Sequence, residues 1–176
     1  MSRKRQVFLI ITVSFAFFLQ FSVMPHFKLL GCQPDLLLVV AIVVAVQEDP
    51  ITGAIVGFCG GFLQDLISHQ VLGVSALTKA LAVFISGMLK ELFMTYSMFL
   101  PAILVLLGSI LEVCFHEVTL LMLGQGKVPP LRFAAFVLPT SLYNVLAAFV
   151  IYPLMRVFSF PVREERLIVR RTDSTG

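Results

Sequence analysis

The chain has 176 residues, 59% of them hydrophobic and only 13% charged, with a mean hydropathy of +0.98 and a formal net charge of +3. Charges so few, many of them gathered near the two ends, cannot coat a water-soluble core of this size, so a soluble globule is excluded. An odd count of three cysteines makes no disulfide framework, and the length leaves room for about six spanning helices of roughly 20 residues and little else.

Arg3, Lys4 and Arg5 form a basic head before the apolar run Val7–Met24. That run is longer than a signal-peptide core and no small-residue cleavage site follows it, which predicts an uncleaved first span over 7–24. Leu29, Leu30, Gly31 and Cys32 resemble a lipobox, but Pro25 to Lys28 separate them from the apolar run, and Cys32 reads as a loop thiol. The second span, 35–47, is short. Its uninterrupted apolar stretch Leu36–Val46 would cover about 17 Å of a roughly 30 Å hydrocarbon layer, so it needs shielding by neighbours or extension upstream. Further spans are predicted over 53–68, 74–90, 98–122 and 133–158, with Pro, Gly and charged turn residues between them. The chain therefore reads as an all-α membrane protein: a basic N-terminus over 1–6, a six-helix transmembrane bundle over 7–158 and a charged tail over 159–176.

Loop charges orient the bundle. With the N-terminus inside, Arg3, Lys4, Arg5, Lys90, Arg156, Arg163, Arg166, Arg170 and Arg171 fall on the cytoplasmic side, against Lys28, Lys127 and Arg132 outside. Both termini are expected in the cytoplasm, which requires an even number of spans. The basic tail suits either anionic lipid headgroups or simple solvation.

In the third span Gly53, Gly57 and Gly61 recur every four residues and Asp65 continues the row. On a helix these positions make one stripe. Lipid offers no hydrophobic drive between helices, so a small-residue stripe that lets backbones approach reads as a packing seam or a partner interface. Asp65, at the end of the seam, should face protein. It has four possible roles: capping backbone in the following loop, pairing with Lys79, contacting a partner, or holding an ion or proton. Gly73 in the next turn is expected to supply a positive φ.

Gly108, Glu112 and His116 make a polar row in the fifth span, beside Glu117. A metal or proton relay is conceivable, but one histidine and no cysteine pair fit zinc poorly, and a buried polar cluster in which Glu112 and His116 share a hydrogen bond is preferred. In the last span Pro139 is expected to disturb the helix locally, with Tyr143 and Asn144 repairing the freed backbone or meeting a partner. No phosphate loop, nucleophile elbow or zinc-spaced cluster occurs, so neither an enzyme nor a resident cofactor or metal is expected, and nothing suggests nucleic acid.

Pro34 and Asp35 before a leucine run, the glycine run ending at Asp65, Gly73 followed by Ser75 and Lys79, and Pro139, Tyr143, Asn144 and Pro153 together resemble the rod shape-determining protein MreD family, over about residues 25–158. The resemblance implies a non-enzymatic adaptor of the bacterial inner membrane. It would bind MreC and act with the MreB filament, the elongation glycosyltransferase and an elongation-specific penicillin-binding protein in lateral peptidoglycan synthesis. It also implies a six-helix fold similar to the substrate-binding components of energy-coupling transporters. The alternative on the same architecture is a vitamin- or metal-capturing transporter component, with Glu112, His116, Tyr143 and Asn144 as its candidate ligands.

Overall fold

A computed structural model describes residues 3–26, 32–68, 71–90, 99–124 and 130–158. Among them the chain forms six α-helices: α1 Arg3–Ser22, α2 Leu36–Gln47, α3 Pro50–Ser68, α4 Val74–Leu89, α5 Leu100–Met122 and α6 Pro130–Phe158. A short 3-10 turn, Met24–His26, follows α1. The tail expected over 159–176 lies outside the described residues.

The six expected helices are all present, and the second is short as expected. Among the described residues four helical segments are long and apolar enough to cross a membrane: Gln6–His26, Pro50–Ser68, Leu100–Met122 and Val137–Val157. The apolar helices α2 and α4 have only 12 and 16 residues. At about 1.5 Å per residue, α2 covers roughly 18 Å.

Shortness suits α2 because it is the centre of the bundle. It touches every other helix, and Leu36 through Ala45 are buried on all sides. This explains the composition of α2, a nearly continuous run of Leu, Val, Ile and Ala with no polar face: a helix apolar all round belongs in a core. The other helices form a shell with bulky apolar side chains outward, among them Ile10 and Phe18 on α1, Ile51 and Ile55 on α3, and Leu146 and Val150 on α6. Such a surface suits lipid, not water.

Caps set several helix ends. Asp35 caps α2 by accepting the Leu38 N–H at 3.0 Å. Asp49 does the same for α3, accepting the Thr52 N–H at 2.8 Å and the Thr52 hydroxyl at 2.7 Å, with Pro50 in the first helical position. This cap starts α3 three residues before the span expected at 53. Helix α6 passes through both Pro139 and Pro153 without ending.

The α3 glycines face protein. A Cβ added at Gly53 would lie 2.4 Å from the Ala45 Cβ of α2, and one at Gly61 would lie 2.4 Å from the Ser75 carbonyl oxygen of α4. At Gly57 the neighbours are Val83 and Lys79 of α4, at 3.2 and 3.4 Å. The seam thus wedges α3 between α2 and α4, backbone on backbone. Phe58, Phe62 and Leu66, one position round, are exposed.

Candidate functional site

One end of the bundle gathers its polar residues. Here α1 and α3 finish and α2 and α4 begin, with the second half of α5 and the first half of α6 alongside. The centre is Lys79 of α4, 1% exposed, whose Nζ contacts Asp35 Oδ2 and lies 3.5 Å from Glu112 Oε1 of α5. A buried ammonium is tolerated only when paired, and a single carboxylate removed from water needs the same. Two carboxyl groups here share one ammonium.

Asn144 of α6 ties the cluster to two more helices. Its Oδ1 accepts the Asp35 N–H at 2.7 Å and its Nδ2 donates to Ser109 Oγ of α5 at 2.9 Å. From α1, the Gln20 amide donates to the Pro34 carbonyl at 3.2 Å and accepts the Leu36 N–H at 2.7 Å. The first turn of α2, whose N–H groups lack partners within the helix, is therefore satisfied by Asp35, Asn144 and Gln20 together. Asn144, Gln20 and Ser109 are all buried.

Asp65 serves a second helix start. Its carboxylate accepts N–H groups of Gly73, Ser75 and Ala76 at 2.9, 3.2 and 3.3 Å. Gly73 itself has φ +93°, a left-handed conformation that glycine adopts without the Cβ penalty. Asp65 thus sits at the positive end of α4 and holds the tight α3–α4 turn closed.

Of the four roles open to Asp65 this geometry selects capping of backbone in the following loop, and it corrects two other expectations. Asp65 does not pair with Lys79, because three backbone donors occupy it while Lys79 turns to Asp35 and Glu112. Glu112 and His116 do not share a side-chain hydrogen bond: the carboxylate faces the ammonium, a stronger partner, and the His116 side chain makes none among the described residues. Asn144 does not repair the backbone near Pro139, since both ends of its amide are engaged by α2 and α5. Tyr143, next to it, lines an apolar groove between α1 and α6.

Glu112, His116 and Asn144 do come together, around a cavity of about 220 Å3 whose wall also includes Asp35, Gln33 and Gln64. Pro153 lies far along α6, beside Tyr152 and Pro101, away from this wall. Sequence reasoning left out Gln20, Gln33, Gln64 and Ser109, and weighed Asp65 as one possible partner of Lys79 without naming Asp35 or Glu112. The signal was available: a lysine or glutamine inside an apolar run is costly unless neighbours receive it. Among the described residues no group of three His, Cys, Asp or Glu side chains is arranged to hold a metal.

No curated protein and no solved structure matches the chain, so the expected likeness to energy-coupling transporter components rests on the resemblance alone. A family model, described as rod shape-determining protein MreD, matches residues 1–160. That match takes in all six helices, the Asp35–Lys79–Glu112 cluster and the Asp65 turn, and the chain belongs to the MreD family of rod shape-determining membrane proteins.

Proposed function

We propose that this protein is a non-enzymatic scaffold of the cell-elongation machinery, held in the bacterial inner membrane with both termini in the cytoplasm. It binds MreC and, with the MreB filament, the elongation glycosyltransferase and an elongation-specific penicillin-binding protein, helps organise lateral peptidoglycan synthesis. Family membership supports the setting. The observation that supports scaffolding is where the polar groups go. The charged and amide groups Asp35, Lys79, Asp65 and Asn144 are turned inward and spent on fixing helix starts, while the outer faces of α1, α3 and α6 are apolar. A rigid body of this kind presents a defined surface to neighbouring helices.

The test is co-purification from membranes. The full chain should retain MreC through detergent extraction and reconstitution into nanodiscs, and a C-terminal reporter that fluoresces only in the cytoplasm should be bright. A chain that folds but never retains MreC, in detergent or in nanodiscs, would sink the proposal.

The polar cavity favours a second reading, a substrate-capturing component of a vitamin transporter, because it brings Glu112, His116 and Asn144 to one wall. Thermal-shift screening of the purified chain against water-soluble vitamins separates the two: a stoichiometric, tight vitamin complex belongs to transport and not to scaffolding.

A further inference from the structure

The polar cavity has a surplus of acceptors. The Oε1 atoms of Gln33 and Gln64 are buried without a hydrogen-bond partner, and both residues line it. Among the described residues Glu112 is held by the 3.5 Å contact to Lys79, which it shares with Asp35, so the wall sets two carboxyl groups against one ammonium. Buried acceptors left without donors are rare in a folded protein and call for a donor from outside. With about 220 Å3 the cavity holds an aminoethyl group and several waters, each water taking about 30 Å3.

Next to it runs an apolar groove of about 550 Å3 between α1 and α6, floored by Leu36 and Val40 of α2; Pro34 lines both spaces. Along α1 the groove extends from Val23 to Thr12. Eleven helical steps make about 16 Å, close to half of a roughly 30 Å hydrocarbon layer, which is the depth of one leaflet. The polar cavity lies at the end of this groove where α1 terminates.

We infer that the cavity and the groove together form a binding site for one phospholipid with a primary-ammonium headgroup, an ethanolamine lipid. The ammonium enters the cavity and donates to Glu112, Gln33 and Gln64, the phosphate stays at the open mouth, and an acyl chain lies along the groove. An ammonium supplies three N–H donors to a wall that has acceptors to spare. A choline headgroup carries the same charge without an N–H, and a glycerol headgroup adds the negative charge of its phosphate with no cation to offset it. This inference concerns a ligand and does not rest on the scaffold reading.

The test uses the full chain in detergent, exchanged with equimolar lipids of ethanolamine, choline and glycerol headgroup and identical acyl chains, and read by native mass spectrometry. One ethanolamine lipid should be retained in about tenfold preference, the scale of a charge-assisted hydrogen bond. Glu112→Gln should bring the three lipids to near parity. Gln64→Leu, which removes an amide whose Oε1 makes no hydrogen bond among the described residues, should weaken the preference and carries the test if Glu112→Gln fails to fold. Equal retention of all three lipids means annular lipid only and overturns the site. So does a preference untouched by a folded Glu112→Gln or by Gln64→Leu. Displacement of the bound lipid by millimolar free ethanolamine would overturn the lipid assignment in favour of a soluble amine.

Discussion

Lys79 on α4 and Asp35 at the start of α2 are 44 residues apart in sequence and form a buried ion pair, the ammonium 1% and the carboxylate 16% exposed. The same carboxylate caps α2 through the Leu38 N–H. One side chain thereby settles both where the central helix begins and how α4 sits beside it. Replacing Lys79 with Met leaves Asp35 and Glu112 with no cation, and removing one member of a buried pair costs about 3–5 kcal/mol. The Lys79→Met chain should lose its monodisperse size-exclusion peak on mild heating well before wild type. Adding Asp35→Asn, which keeps a capping oxygen, should recover part of the loss. A Lys79→Met protein as heat-resistant as wild type would show that the pair contributes nothing.

Neighbouring glycines of α3 should respond oppositely to the same change. At Gly61 a methyl would meet the Ser75 carbonyl oxygen at 2.4 Å and the Ala76 Cα at 2.7 Å, both backbone. Neither can rotate away, so α4 must shift, at a cost of about 1–3 kcal/mol or more. At Gly60 the nearest atom is the Leu37 Cβ at 3.5 Å, an ordinary contact, and Gly60→Ala should be neutral or gain up to about 1 kcal/mol of helix propensity. Thermal unfolding of the two single variants in one detergent compares them directly. Equal effects would mean that the α3–α4 seam is looser than described.

Asp65 and Gly73 act on one turn from its two sides. Asp65→Ala strips the partner from three N–H groups at the start of α4 and should cost about 2 kcal/mol, the upper range for a lost cap. Asp65→Asn keeps one acceptor oxygen and should fall between. Gly73→Ala must hold a side chain at φ +93° and should cost about 1–2 kcal/mol without any steric clash, since no atom lies within 4 Å of the added Cβ. Amide exchange at the start of α4 should rise in all three variants; unchanged exchange in Asp65→Ala would remove the capping role.

The α3 cap should make stability depend on acid. Burial pushes the Asp49 carboxyl up, but hydrogen bonds from the Thr52 side chain, the Thr52 N–H and the Ile51 N–H, together with the charge of Lys90, bring it below the ordinary aspartate value. A carboxyl whose folded value is depressed adds stability that is present above its unfolded value and is lost as pH falls through the folded one. Thr52→Val removes the side-chain donor, so its stability deficit against wild type should be present at neutral pH and shrink below the ordinary aspartate range. A deficit of the same size at every pH would separate the loss of Thr52 from Asp49 ionisation.

Composition and pattern determined much of this protein. An excess of apolar residues with few charges dictates a membrane bundle, because neither water nor lipid tolerates the alternatives. Glycine at every fourth position dictates a close-packed helix, since a missing Cβ is useful only where another backbone comes near. The six elements were legible for the same reason; α1, α3 and α6 start a few residues before the expected spans, in α3 because of an Asp–Pro cap that a hydropathy run does not register.

Only the tertiary structure decided which helix is central and which polar groups meet. Nothing local in α2 says that five helices will enclose it; shortness and uniform apolarity are equally those of a segment that fails to cross the bilayer. Asp35 and Asn144 are 109 residues apart and Lys79 and Glu112 are 33 apart, so no spacing rule relates them. Lys79 had acidic residues to choose from, and burial of Asp65 against the backbone of its own turn left Asp35 and Glu112 as its partners. The physical reason is that a buried charge is satisfied by whatever the packing of whole helices brings within reach, and packing is a property of surfaces that the chain acquires only once folded.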